Sequence, residues 1–383
     1  MTARVASNSI ALPALDGTNP LGFLAALGVL ATLRDAGDAA VRLGWRRTVT
    51  WTPVLEGLSA GNADALSRIV ADRLRGKVVA AEAESVREET QSAFDAAAKA
   101  VNDKREEIKN RRLRGTERAT ALKTEVSPFE QARERQRRVW LDALDSAVRS
   151  PELAIGKHLN CTATEFRDRA IVLADQSTHA DRAAVDLLTA FGSDAFIVGK
   201  EKVRIAATPF CFTTGSGHQY FLDTVRQLME LATPERVRAA LFERWTYKDE
   251  GLSMRWDPLE DRRYALMDRD PTASGNRPQT VWMANLLGYR ALVFFPSAPY
   301  GHHLATTAWR RIDGNLTLTW PVWETPADPD TVRSLLQCSE LQAAAPNHDA
   351  IAARGIAAVF RARRIQVGQA PLLKINFSAA RSV

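Results

Sequence analysis

The run Asp16-Gly17-Thr18-Asn19-Pro20-Leu21-Gly22-Phe23-Leu24-Ala25-Ala26-Leu27-Gly28 predicts a turn followed at once by a helix. Asp16 and Gly17 supply the turn, Asn19 is an N-cap, and Pro20 suits the first helical position, where a missing N–H costs nothing. From Leu21 to Leu33 the helix is apolar almost all round, with Phe23, Leu24, Leu27, Val29 and Leu30 between. Such a helix must be packed on several sides, so the rest of the chain has to build a body around it. The apolar run is shorter than the roughly 20 residues needed to span a bilayer, so no membrane role is expected. A signal peptide is also disfavoured: only Arg4 precedes the run, Asp16 adjoins it, and no small-residue cleavage site follows.

Working outward, residues 9–15 read as a strand, Gly37 ends the helix, and residues 41–46 and 48–55 read as a hairpin carrying Trp45 and Trp51. From Asn62 the texture changes to Ala, Glu, Lys and Arg, with Leu66, Ile69, Val70 and Leu74, then Phe94, Val101 and Ile108, at helical intervals. Arg114-Gly115-Thr116 breaks this arm. Ser127-Pro128-Phe129-Glu130 reads as a capping box opening a second helix, striped by Val139, Trp140, Leu144 and Val148 and stopped at Ser150-Pro151. Beyond it, strands are expected at 203–207, 210–213, 292–295, 306–312 and 316–320, with helices near 221–231, 281–287 and 330–336. Pro321 points to a strand end or edge. The expected class is α+β: a mixed α/β body with an antiparallel helix pair inserted. Residues 1–60 form the first segment of the body, 61–150 the helical arm, and 151–383 the remainder with a basic C-terminal tail.

The chain has 383 residues, 45% hydrophobic and 25% charged, a composition unlike disordered, collagenous or barrel sequences. Cys161, Cys211 and Cys338 are far apart and odd in number, which argues against a disulfide framework or a zinc site and for a reducing cytoplasm. Net charge is only +6, but residues 104–138 hold twelve Lys and Arg against six Glu, and residues 351–383 hold six basic residues and no acidic one. Each segment is +6, so the remainder is −6. Arg dominates both, and its planar fork holds phosphate bidentately. A polyanion is the matching partner, since neutralised phosphates release counterions. The nominated nucleic-acid contacts are Arg111, Arg112, Arg114, Arg118, Lys123, Arg133, Arg135, Arg137 and Arg138 in the arm, and Arg361, Arg363, Arg364 and Lys374 in the tail. For the arm, the competing reading is a solvated helix face of paired Glu and Arg.

Motifs for chemistry are sparse. The six histidines include no HExxH, and His302-His303 lacks carboxylate or thiol company. Asp257, Glu260, Asp261, Asp268 and Asp270 are interleaved with Arg255, Arg262, Arg263 and Arg269, which compete for those carboxylates as ion pairs. Neither GxxxxGK[ST] nor GxSxG occurs. No cofactor is expected. Thr214-Gly215-Ser216-Gly217-His218-Gln219, leading into Phe221, Leu222, Val225 and Leu228, is the one suggestive turn: its glycines and a helix start favour an anion, with Thr214, Ser216, His218 and Gln219 as contacts. A plain strand-to-helix turn is the competing reading. Trp309, Trp320 and Trp323 stand at near-alternate positions and read as core.

Five segments together carry a resemblance: residues 15–28, residues 212–228, Asp261-Arg262-Arg263-Tyr264-Ala265-Leu266, Trp282-Met283-Ala284-Asn285-Leu286 running to Phe295-Pro296, and Trp320-Pro321-Val322-Trp323 running to Arg333-Ser334-Leu335-Leu336. In order and spacing the chain resembles the large-subunit-like proteins of type I CRISPR systems, the I-G group formerly called I-U. The resemblance implies a non-catalytic subunit of the RNA-guided antiviral surveillance complex (Cascade). Such a subunit binds crRNA or target double-stranded DNA beside other Cascade subunits, contributes to protospacer-adjacent-motif recognition and supports a helicase-nuclease. It carries no residue-level signature for motif reading onto this chain. The alternatives are a metal-dependent nuclease using the 257–270 carboxylates and a structural adaptor that binds only protein.

Overall fold

The computed structural model of the chain describes residues 9–179, 181–199, 203–213, 220–260, 279–367 and 374–383. The fold is α+β. It falls into two units, one of residues 1–76 and 157–383, the other Lys77–Gly156.

In the first unit the N-terminal strand is short, β1 (Ile10–Ala11), and α1 (Pro20–Asp35) is buried from Pro20 to Leu33. The Asn19 side chain accepts from the N–H of Leu21 and Gly22 at 2.8 and 3.3 Å, while Asp16 takes the Thr18 N–H. A hairpin follows, β2 (Arg42–Arg47) and β3 (Trp51–Glu56), and β1 joins β3 to give the order β1-β3-β2. Then comes α2 (Ala63–Arg75), which belongs to this unit, so the helical insertion begins at Lys77 rather than near 61.

The second unit holds α3 (Ala81–Asn110), α4 (Gly115–Ala121), a π-helical turn (Leu122–Val126) and α5 (Ser127–Ala147). Phe94 stacks on Trp140 across α3 and α5 at 5.3 Å, and Val101, Ile108, Ala121 and Val126 make a small core. The break expected around 114–116 falls at 111–114, and Gly115 and Thr116 already open α4. The capping box is not: Val126 is helical and Ser127 caps nothing, because α4, the π turn and α5 run on without a free N-terminus.

The first unit resumes with α6 (Ala163–Gln176), α7 (Ala183–Phe191), the paired β4 (Ile197–Val198) and β5 (Arg204–Ile205), α8 (Phe221–Glu230), α9 (Pro234–Phe242), the paired β6 (Asp249–Glu250) and β7 (Gln279–Thr280), and α10 (Trp282–Arg290). Residues 210–213 form no strand. In place of the strand expected at 292–295 there is a buried 3-10 turn (Ala291–Phe294) that continues α10; a short apolar run of this kind suits a buried helical turn as well as a buried strand. Next are the hairpin β8 (Ser297–Tyr300) and β9 (His303–Thr306), then β10 (Trp309–Ile312), β11 (Asn315–Trp323), α11 (Pro329–Leu336), α12 (His348–Ala352), β12 (Ile356–Val367), β13 (Lys374–Phe377) and β14 (Arg381–Ser382). The larger sheet runs β10-β11-β12-β13, with β14 on β12. Thus the basic C-terminal segment is not a tail but a long interior strand and its partners. Pro321 is tolerated in β11 because β10 pairs only as far as Leu318, so at Pro321 that flank has no strand to bond.

The body closes around α1 as its composition demands. A Cβ on Gly28 would stand 1.8 Å from the Leu287 carbonyl oxygen, so α1 and α10 meet backbone to backbone. Phe23 stacks on Trp45 at 5.7 Å and tilts against Trp320 at 5.8 Å, while the Trp320 indole donates to the Gly17 carbonyl at 2.9 Å. Trp309, Trp320 and Trp323 are all core.

Candidate nucleic-acid interface

In the arm, the turn between α3 and α4 is made of arginines. Arg112 takes a left-handed conformation (φ 52°) and Arg114 precedes the first turn of α4. Arg112, Arg114 and Arg118 are exposed, and none has a carboxylate partner among the described residues. Lys123 and Arg135 are likewise exposed and unpaired, and Arg133 is half-buried and unpaired, among those residues. The others are spent on glutamates. Arg111 bonds both oxygens of Glu125 at 2.8 Å, Lys104 reaches Glu107 and Glu125, and Arg137 and Arg138 each lie 3.9 Å from Glu134. Bonds from Arg111 and Lys104 hold the Glu125 carboxyl below its ordinary range. Both readings of the arm are therefore present in one element: a paired helix face below and free guanidinium groups at the turn.

The C-terminal residues divide differently. Arg361 donates to the carbonyls of Leu341, Ala343 and Ala344 and to the Thr319 hydroxyl, and burial lowers its pKa. Arg364 lies over the Phe212 ring at 5.4 Å and donates to the Cys211 carbonyl at 3.3 Å. Both guanidinium groups hold loops to the sheet. Arg363 is exposed, Lys374 opens β13 opposite Val367, and register fixes what surrounds Arg363. Arg310 on β10 opposes Thr317 on β11, which opposes Arg363 on β12, and Arg381 opposes Arg361 one pleat away. Arg310, Arg363 and Arg381 are exposed on one face and have no acidic partner among the described residues. Sequence reasoning does not reach Arg310, and it counts Arg381 only in the charge of the C-terminal segment, not as a contact. The alternation of Trp309 (in) and Arg310 (out) is the available signal, but only cross-strand pairing brings them to Arg363.

Thr214, Ser216, His218 and Gln219 lie outside the described residues. The helix start expected to hold an anion is α8, and its first N–H groups are taken: Phe221 donates to His158 Nδ1 at 3.4 Å, and Leu222 and Asp223 donate to the Lys157 carbonyl at 3.1 and 3.2 Å. Desolvation pushes the His158 pKa down, as suits a ring that accepts at Nδ1. That end of α8 is capped by protein, which removes the donors an anion would use.

Of the acidic stretch, Asp261, Asp268 and Asp270 lie outside the described residues. Asp257 is buried and accepts from Asn19, the Tyr247 hydroxyl and the Leu259 N–H, each at 2.8 Å. Glu260 accepts from the Ser253 and Thr280 hydroxyls, and burial beside Asp257 raises it to about 8. These two carboxylates tie the α1 cap to the start of α10. Among the described residues no group of three His, Cys, Asp or Glu is placed to hold a metal ion. No helix of those residues is long and apolar enough to cross a membrane.

No protein-family model matches the chain, and no curated protein matches it.

Proposed function

We propose that the chain is a nucleic-acid-binding, non-catalytic subunit of a cytoplasmic type I CRISPR surveillance complex, holding crRNA or target DNA by its phosphates. It works there beside other Cascade subunits, contributes to recognition of the protospacer-adjacent motif and recruits the helicase-nuclease. The observation that carries this is the arm turn, where Arg112, Arg114 and Arg118 are exposed and free of carboxylates among the described residues. A surface cation with no internal partner keeps its full interaction for a phosphate, whereas a paired one must first surrender its glutamate. Arg310, Arg363 and Arg381 offer a second set on the sheet face. The specific part of the reading, the CRISPR complex, rests on the sequence resemblance alone.

The test is binding of duplex and single-stranded oligonucleotides over a series of salt concentrations, for the wild-type chain and for Arg112→Glu/Arg114→Glu/Arg118→Glu. The triple variant is expected to bind duplex at least tenfold more weakly, with a log-log salt slope shallower by about 0.9 for each phosphate that is no longer neutralised. Identical slopes and affinities would overturn the assignment. Co-purification with neighbouring gene products, read by the absorbance ratio of bound RNA, tests the complex itself.

A further inference from the structure

The sheet β1-β3-β2 leaves β2 at its rim, and the pleat fixes which of its main-chain groups point away. The Trp51 and Pro53 carbonyls accept from Gly17 and Leu12 at 2.8 and 2.9 Å, so odd-numbered residues of β3 face β1 and even-numbered ones face β2. Register pairs Arg42, Gly44 and Arg46 with Glu56, Val54 and Thr52, which leaves the N–H and C=O groups of Leu43, Trp45 and Arg47 pointing outward. Leu43 is satisfied by two bonds of 2.9 Å with Ala327. That pairing then stops. The outward main-chain groups of Trp45 and Arg47 have no partner among the described residues, although Trp45 is only 2% exposed. Buried peptide groups left without a partner are rare.

Where the pairing stops, a cleft of about 290 Å³ opens, lined by residues 44–47 and by Val54, Glu56, Glu324 and Pro326. Its charges are sorted. Arg46 and Arg47 lie toward the hairpin tip, while Glu56 and Glu324 lie toward Gly44, whose missing Cβ would sit 2.6 Å from the Glu324 carbonyl. None of these four side chains has an ion-pair partner among the described residues.

We propose that this cleft receives an extended peptide of a partner protein, which continues the Leu43–Ala327 pairing along β2. Its main chain bonds Trp45 and Arg47. One basic side chain lies against Glu56 and Glu324, and an acidic one two residues along, on the same face of the added strand, lies against Arg46. The inference is independent of the phosphate reading, because it rests on backbone donors and acceptors and on opposite charges side by side.

The probe is fluorescently labelled acetyl-Thr-Lys-Val-Glu-Thr-amide, titrated by anisotropy against the full chain, with the Lys/Glu-exchanged peptide to cover the opposite strand direction. One of the two should bind. N-methylation of one alternate set of its residues should cost at least tenfold, and methylation of the other set less than twofold, since only one set faces β2. Arg46→Glu should weaken the peptide about tenfold while the circular dichroism and oligonucleotide affinity stay as in the wild type. Absence of binding at millimolar peptide, equal affinity of both methylated sets, or competitive displacement by an oligonucleotide would each overturn the proposal. So would a Trp45 amide already protected from hydrogen exchange in the free chain.

Discussion

The two basic regions have the same net charge and spend most of it on different partners. At the arm turn, Arg112, Arg114 and Arg118 stand in solvent while Arg111 and other neighbours are neutralised by Glu107, Glu125 and Glu134. On β12, where no acidic residue is near in sequence, Arg361 and Arg364 are consumed instead by backbone carbonyls and an aromatic face. Cation count is therefore a poor guide to cation availability. A carboxylate can be read in sequence, but a carbonyl at the end of a loop has no letter of its own.

The largest effect that separates the regions is on stability. Arg361→Ala removes four hydrogen bonds from a charged donor and strands the carbonyls of Leu341, Ala343 and Ala344, and should cost about 2–4 kcal/mol, measured from the denaturant midpoint. A cost below about 0.5 kcal/mol, with weakened oligonucleotide binding instead, would reverse the contrast. Arg364→Ala comes next, at about 1–2 kcal/mol for one carbonyl bond and the stacking on Phe212. Arg112→Glu/Arg114→Glu/Arg118→Glu should leave global stability within about 0.5 kcal/mol and register only in binding. The smallest effect concerns acid. Because Glu125 is held below its ordinary range, its contribution to the arm is present above the unfolded carboxyl pKa and is lost as pH falls through the lowered one. Helicity of the second unit should decline over that interval, and Glu125→Gln should make the decline shallower; an unchanged acid profile would show that the Arg111 pair is idle.

Much of the fold is legible because it depends on near neighbours. The Asn19 cap, the all-round apolar α1, the hairpin of Trp45 and Trp51 and the two-helix arm follow from spacing alone. What fails depends on distant partners. Residues 292–295 have strand composition, but 292–294 lie in a buried 3-10 turn that continues α10, and Ser127 has a cap's identity within a helix that never starts there. β12 escapes a reading of the sequence because Arg361, Arg363 and Arg364 draw attention to charge rather than to the alternation of Phe360 and Ala362. The same holds for the site. Which arginines lie together is set by strand register, and the α8 donors go to Lys157 and His158, some sixty residues upstream.

The bare contact of Gly28 with Leu287 has a consequence for biosynthesis. Part of the first long helix is covered early, by Trp45 of the hairpin, but its Gly28 face has no lining until a partner 259 positions downstream has been made, and Trp320 lies beyond that. At translation rates of about 5–20 residues per second, that face waits on the order of ten to fifty seconds for its partner. Maturation of the first unit is thus tied to synthesis of the segment that carries Leu287 and Trp320.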